Sequence, residues 1–97
     1  MNFKIVNSIL YTCDKWGNTG RRIADRVSFA TFNAVMGVFL VTSLSGRVDT
    51  RDTNGNHIRT ICEGAIEARF YDDKTFLIRT RNANQLRDKQ GNLLRNI

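Results

Sequence analysis

The clearest alternation of apolar and polar positions along the chain runs from Ala65 to Arg81, AIEARFYDDKTFLIRTR. A three-residue loop of Asp72, Asp73 and Lys74 sets Phe70 opposite Phe76 and Ala68 opposite Ile78, with Ile66 on the same buried face, and leaves Glu67 facing Arg79 on the other. A two-residue loop would place Phe70 against Leu77 and break the parity, so the spacing itself selects this hairpin.

A second pattern is a repeat, D-x-x-G-N-x-x-R-x-I, which occurs as DKWGNTGRRI from Asp14, DTNGNHIRTI from Asp52 and DKQGNLLRNI from Asp88. A looser echo lies upstream of each copy, at Phe3 to Val6, Phe39 to Thr42 and Phe76 to Arg79. Self-similarity at near-constant spacing indicates one supersecondary unit used several times. The repeated residues carry turn chemistry: Asp accepts hydrogen bonds from the backbone ahead of it, and Gly three positions later supplies the positive φ that closes a type I turn with a bulge. The units therefore predict strand arms over 3–13 and 19–24, 38–51 and 56–62, and 84–88 and 92–97.

Between the first two copies, Ile23, Ala24, Val27, Ala30, Thr31, Ala34 and Val35 fall at helical spacing, with Arg22, Asp25, Arg26 and Asn33 opposite. Thr19 could cap such a helix and Gly37 could end it, although Phe29 and Phe32 lie off its apolar stripe. The fold class predicted is mainly β, a small antiparallel sheet or barrel built of β-hairpins. One helix within 20–36 would make it α+β. Val27 to Gly46 holds twenty residues without a charge, which is bilayer length. Its Ser, Thr and Asn residues dilute that stretch, and two buried elements parted near Asn33 to Gly37 account for it without a membrane.

Ninety-seven residues with 41% apolar and no proline describe one globular domain, 1–97, without a linker. Fifteen Lys and Arg against nine Asp and Glu give a net charge of +6, and the excess is mostly arginine, which forks onto phosphates and carboxylates. The cations concentrate in two places. One, Lys15, Trp16, Arg21, Arg22 and Arg26, surrounds the first turn; the other, Arg79, Arg81, Arg87, Lys89 and Arg95, follows the last hairpin. Trp16 beside arginines suits base stacking with phosphate contact, or a protein partner's pocket, unless it folds back as a lid.

Other chemistry is sparse. His57 is the sole histidine, so no His-based metal cluster or dyad forms within one chain, and neither metal nor cofactor is expected. Cys13 and Cys62 are too few for a disulfide framework, sit beside acids that would raise a thiol's pKa, and read as small buried thiols. The N-terminal segment lacks the apolar run of a signal peptide, so a cytoplasmic or virion-associated setting is expected.

Three function classes follow. The first is a non-enzymatic binding module engaging nucleic acid or an acidic protein surface. The second is a structural subunit of a larger assembly such as a virus or phage particle, joined as a homo- or hetero-oligomer through sheet edges. The third is a small endoribonuclease in which His57 acts as acid or base while Arg59, Arg79 or Arg81 holds a phosphate. Membrane association is not expected.

Overall fold

The computed structural model describes residues Met1–Ile97, and every regular element in it is a strand. They are β1 (Asn2–Val6), β2 (Ile9–Cys13), β3 (Thr19–Ala24), β4 (Val27–Asn33), β5 (Val38–Ser43), β6 (Val48–Asp52), β7 (His57–Cys62), β8 (Ala65–Phe70), β9 (Thr75–Thr80), β10 (Asn84–Asp88) and β11 (Leu93–Asn96). They form three antiparallel sheets in sequence order: β1-β2-β3 (sheet 1), β4-β5-β6-β7 (sheet 2) and β8-β9-β10-β11 (sheet 3). None closes into a barrel. No helix is long and apolar enough to cross a membrane; Val27 to Gly46 is instead β4, β5 and their turns.

The helix expected within 20–36 is absent, and the physical reason is a β-bulge. Pairing shifts between Val27 and Phe29, so Val27 and Ala30, three residues apart, point to one side of β4 and imitate helical spacing. Phe32, off the helical stripe, joins the same core as those two once the segment is extended. A matching shift between Ala65 and Glu67 buries Ala65 and leaves Ile66 exposed, which corrects the inward assignment of Ile66. The remainder of that hairpin pairs as its alternation requires: Phe70 with Phe76, Ala68 with Ile78 and Glu67 with Arg79.

The arms 3–13 and 38–51 are hairpins in themselves, not single strands. Asn7 and Ser8, with φ of 51° and 64°, reverse the chain between β1 and β2, the double positive φ of a type I′ turn. Between β5 and β6 the chain turns at Ser43 to Arg47, where Ser43 Oγ accepts the Arg47 N–H at 3.0 Å and the Gly46 N–H reaches the Ser43 carbonyl at 3.0 Å.

The three Asp turns are copies of one another. Oδ1 of Asp14 accepts the N–H groups of Trp16 and Asn18, both at 2.9 Å, and Oδ2 accepts the Asn18 amide at 3.1 Å. Asp52 binds Asn54 and Asn56 in the same way, and Asp88 binds Gln90 and Asn92. These donors, the backbone N–H of the Asn first among them, hold all three carboxyls below the ordinary carboxylate range. Aligned on this turn, Phe39 and Phe76 are equivalent, pairing with Arg51 and Arg87, the residue before each Asp. Phe3 pairs with Thr12 and stands one place out of step.

The sheets stack through two apolar seams. Leu10, Ile23 and Ala24 of sheet 1 meet Val27, Ala30, Phe39 and Val41 of sheet 2, with Phe3 and Phe32 packed on Phe39 at 5.5 and 4.7 Å between ring centroids. Leu40, Val48 and Ile61, from the opposite side of sheet 2, meet Ala65, Ala68, Phe76 and Ile78 of sheet 3. Each seam is stitched by the repeated turn. A Cβ on Gly55 would lie 2.9 Å from the Arg22 carbonyl oxygen and 3.3 Å from Ile23 Cα, and one on Gly91 would lie 2.8 Å from the Ile61 carbonyl oxygen. The turn of one sheet thus rests on the final Ile of the sheet before it, whereas Gly17 has nothing within 4 Å. Replacing Gly17 by Ala should therefore cost only the left-handed backbone, about 1 kcal/mol. Gly55→Ala and Gly91→Ala should cost roughly 2–4 kcal/mol, because backbone strain adds to a collision across the seam. Urea denaturation of the three single variants measures the contrast.

Candidate functional site

The repeat places one arginine on the outermost strand of every sheet. Arg21 on β3, Arg59 on β7 and Arg95 on β11 occupy the same motif position, all are exposed, and none of the chain's ion pairs includes them. Arg59 stands opposite Thr50 and Arg95 opposite Leu86, while the Arg21 backbone N–H donates to Thr12 Oγ1 at 2.8 Å. Arg59 lay outside both charge clusters read from the sequence; its motif position was the signal that could have included it. It shares a groove of about 290 Å3 with Lys89, formed where the third turn covers sheet 2 beside Met36, Val38 and Ile58.

The two clusters do not merge, because sheet 2 stands between them. Lys15 and Trp16 form the tip of the first turn, where Trp16 is 75% exposed, with Lys15 Nζ 4.6 Å from its ring centroid. The indole does not fold back as a lid. Arg22 is tied to Asp25 at 3.2 Å, and Arg79 faces Glu67 at 3.6 Å. Arg87 is a turn clamp: its Nη1 donates to the Gly91 carbonyl at 2.7 Å and its Nε to Gln85 at 3.1 Å. Arg81 is exposed in the β9–β10 turn, and Lys89 in the turn after β10. Those last two, with Lys15, Arg21, Arg26 and Arg95, enter no ion pair.

His57 begins β7 with its Nε2 3.1 Å from Thr60 Oγ1 and 3.4 Å from Asp49 Oδ1. Asp49, whose side chain is 5% exposed, also receives Thr60 Oγ1 at 3.0 Å and an Arg47 guanidinium nitrogen at 3.1 Å. Arg79 and Arg81 belong to sheet 3 rather than to this strand. Cys13 and Cys62 are half-buried free thiols, less enclosed than the sequence suggested, and burial pushes the Cys62 thiol up. Nowhere do three or more His, Cys, Asp or Glu side chains gather as a metal site would require.

A cavity of about 520 Å3 opens at the seam between sheets 1 and 2. Ala24, Asp25 and Arg26 form one wall, Ser43, Leu44 and Ser45 another, and Val41, Arg47, Asp49 and Arg51 the rest. Arg26 enters it from a strained backbone, φ 52°, at the place where the next unit has Gly64 with φ 74°. Its carbonyl accepts the Leu44 N–H at 2.7 Å, which ties the two walls together. Arg51 is the counterpart of Arg87 and clamps Gly55 in the same manner, through Nη1 at 3.0 Å, but its Nε is buried without a partner. Asp49 stands where Arg87 has Gln85, and its carboxylate is engaged by Arg47, Thr60 and His57.

The fold and these surfaces define a repetitive all-β protein whose cations stand at matching positions of successive sheets. Searched against protein-family models and against curated proteins, the chain matches none. Arg26→Gly should stabilise the protein by about 0.5–1 kcal/mol, since relief of a left-handed non-glycine backbone exceeds the added chain entropy of glycine. Thermal or urea unfolding of that variant measures it.

Proposed function

We propose that the protein is a non-enzymatic binding module for single-stranded nucleic acid. The observation that carries this reading is the unpaired arginine at one motif position of each sheet, Arg21, Arg59 and Arg95. A strand of nucleic acid repeats its phosphates at regular steps, and guanidiniums repeated at one position of successive sheets suit such a ligand in a way that a single basic cluster does not. Lys89 beside Arg59 and Lys15 at the first turn extend the positive track, and the exposed indole of Trp16, with Lys15 over one side of its ring, offers a stacking face at one end. Fluorescence polarisation with a labelled oligonucleotide across a salt series tests it. Binding should weaken as salt rises, with a log–log slope that becomes shallower by roughly 0.7 for each of Arg21→Ala, Arg59→Ala and Arg95→Ala. Trp16→Ala should cost roughly 1–3 kcal/mol of affinity, the worth of one stacked base. Absence of binding at low salt, or binding indifferent to salt, would refute the reading.

One observation favours a second reading, a subunit of a larger assembly. Ile23 and Ile61 are 3% and 5% exposed under the following sheet's turn, but their equivalent Ile97 is 53% exposed, and Leu93 and Leu94 beside it on β11 are exposed too. The bare Gly17 turn of a second copy matches the element that covers Ile23 and Ile61. Head-to-tail contact of that kind is heterologous and gives rings or filaments. Light scattering over a concentration series should show mass above that of the monomer, reduced to monomer by Ile97→Asp; a monomer at every concentration rejects this alternative.

A further inference from the structure

We infer that the cavity between sheets 1 and 2 is a binding site for a phosphate monoester, separate from the arginine track. Three arginines line it, Arg26, Arg47 and Arg51, beside two carboxylates that are already engaged, Asp25 by Arg22 and Asp49 by both Nε and Nη2 of Arg47. Arg26 and Arg51 have no acidic partner.

Two departures from the sister unit single out this cavity. Where the chain elsewhere uses Gly64 it places Arg26 in a left-handed conformation, and strain of that sort persists where the side chain it carries is needed. Where Arg87 satisfies its Nε on Gln85, Arg51 keeps a buried Nε with no acceptor, although the same residue's Nη1 makes the same turn clamp. A buried donor without a partner is rare, and it marks Arg51 as the member of the pair whose hydrogen bonding the chain leaves incomplete. Ser43 and Ser45, their hydroxyl oxygens 2.9 Å apart, add hydroxyl groups on a facing wall.

The donor set selects the ligand class. A carboxylate offers two coplanar oxygens and is satisfied by one guanidinium fork, whereas a phosphoryl group presents three oxygens in different directions and suits several forks and hydroxyls at once. A volume near 520 Å3 falls in the range of sites for whole small molecules. The phosphate therefore carries a substituent, which rests on Ala24, Val41 and Leu44, the apolar part of the lining.

Calorimetric titration of the full chain with inorganic phosphate, ribose 5-phosphate, adenosine monophosphate and acetate, with no oligonucleotide present, tests the site separately from nucleic-acid binding. Saturable binding of the phosphate compounds, tightest for one of the two esters, with acetate at least tenfold weaker, is the expected result. The better ester identifies the substituent as sugar alone or sugar with base. Backbone amide shifts should move at Ala24, Ser43 and Ser45. Arg51→Gln should weaken ester binding at least tenfold, and Arg26→Gly, whose backbone is the one Gly64 already adopts, should do likewise while remaining folded. Ester binding equal to wild type in folded Arg26→Gly, shifts confined to other surfaces, or no saturable binding would each overturn the assignment. Ester binding that persists when oligonucleotides fail to bind would remove the nucleic-acid reading and leave this site standing.

Discussion

One charged acceptor organises the molecule. In each of three turns an aspartate carboxylate takes two backbone N–H groups and an asparagine amide, with distances that agree to 0.1 Å among the copies. Charge-assisted bonds of this kind are stronger than neutral ones, and they force a glycine into the left-handed region at the apex. Because that glycine has no side chain, the apex can lie on the backbone of the preceding sheet, as Gly55 does on Ile23 and Gly91 on Ile61. Local turn chemistry and the packing between sheets are thus one constraint. Ser43 reproduces the turn with a hydroxyl in place of the carboxylate, and Gly46 there approaches Ala65 as closely.

Sheet 2 is packed on both faces and the other sheets on one. Its strand β5 alternates Phe39 and Val41 toward sheet 1 with Leu40 toward sheet 3, which makes it the least exposed strand of the protein. The outward face of sheet 3 is furnished differently. Glu67, Arg69 and Arg79 stand where sheet 2 has Phe29, Thr31 and Thr42, and the acid pairs with both arginines at 3.6 Å.

The repeat and the hairpin 65–81 were legible in the sequence because turn chemistry and strict alternation are local signals. What escaped was of two kinds. The bulges at Val27–Phe29 and Ala65–Glu67 insert one residue and convert a period of two into a spacing of three, so 20–36 read as a helix and Ile66 as buried. The turn at Asn7 and Ser8 carries no glycine, which concealed the first hairpin inside what read as one long strand. The charge clusters were visible as composition, but their roles depend on partners across sheets. Nothing in the order of residues tells that Arg87 clamps a turn, that Arg79 meets Glu67, or that Arg26 and Arg51, far apart in the chain, line one cavity.

Every ladder in the protein joins strands that follow one another directly in the chain. All-β domains ordinarily fold slowly because their pairings span long loops whose closure entropy must be met first. Here each hairpin closes on a short turn, and a sheet is complete before the next begins to emerge during synthesis. The stack can therefore grow from one end in the order in which it is translated, with each finished sheet offering its apolar face as a template for the one that follows.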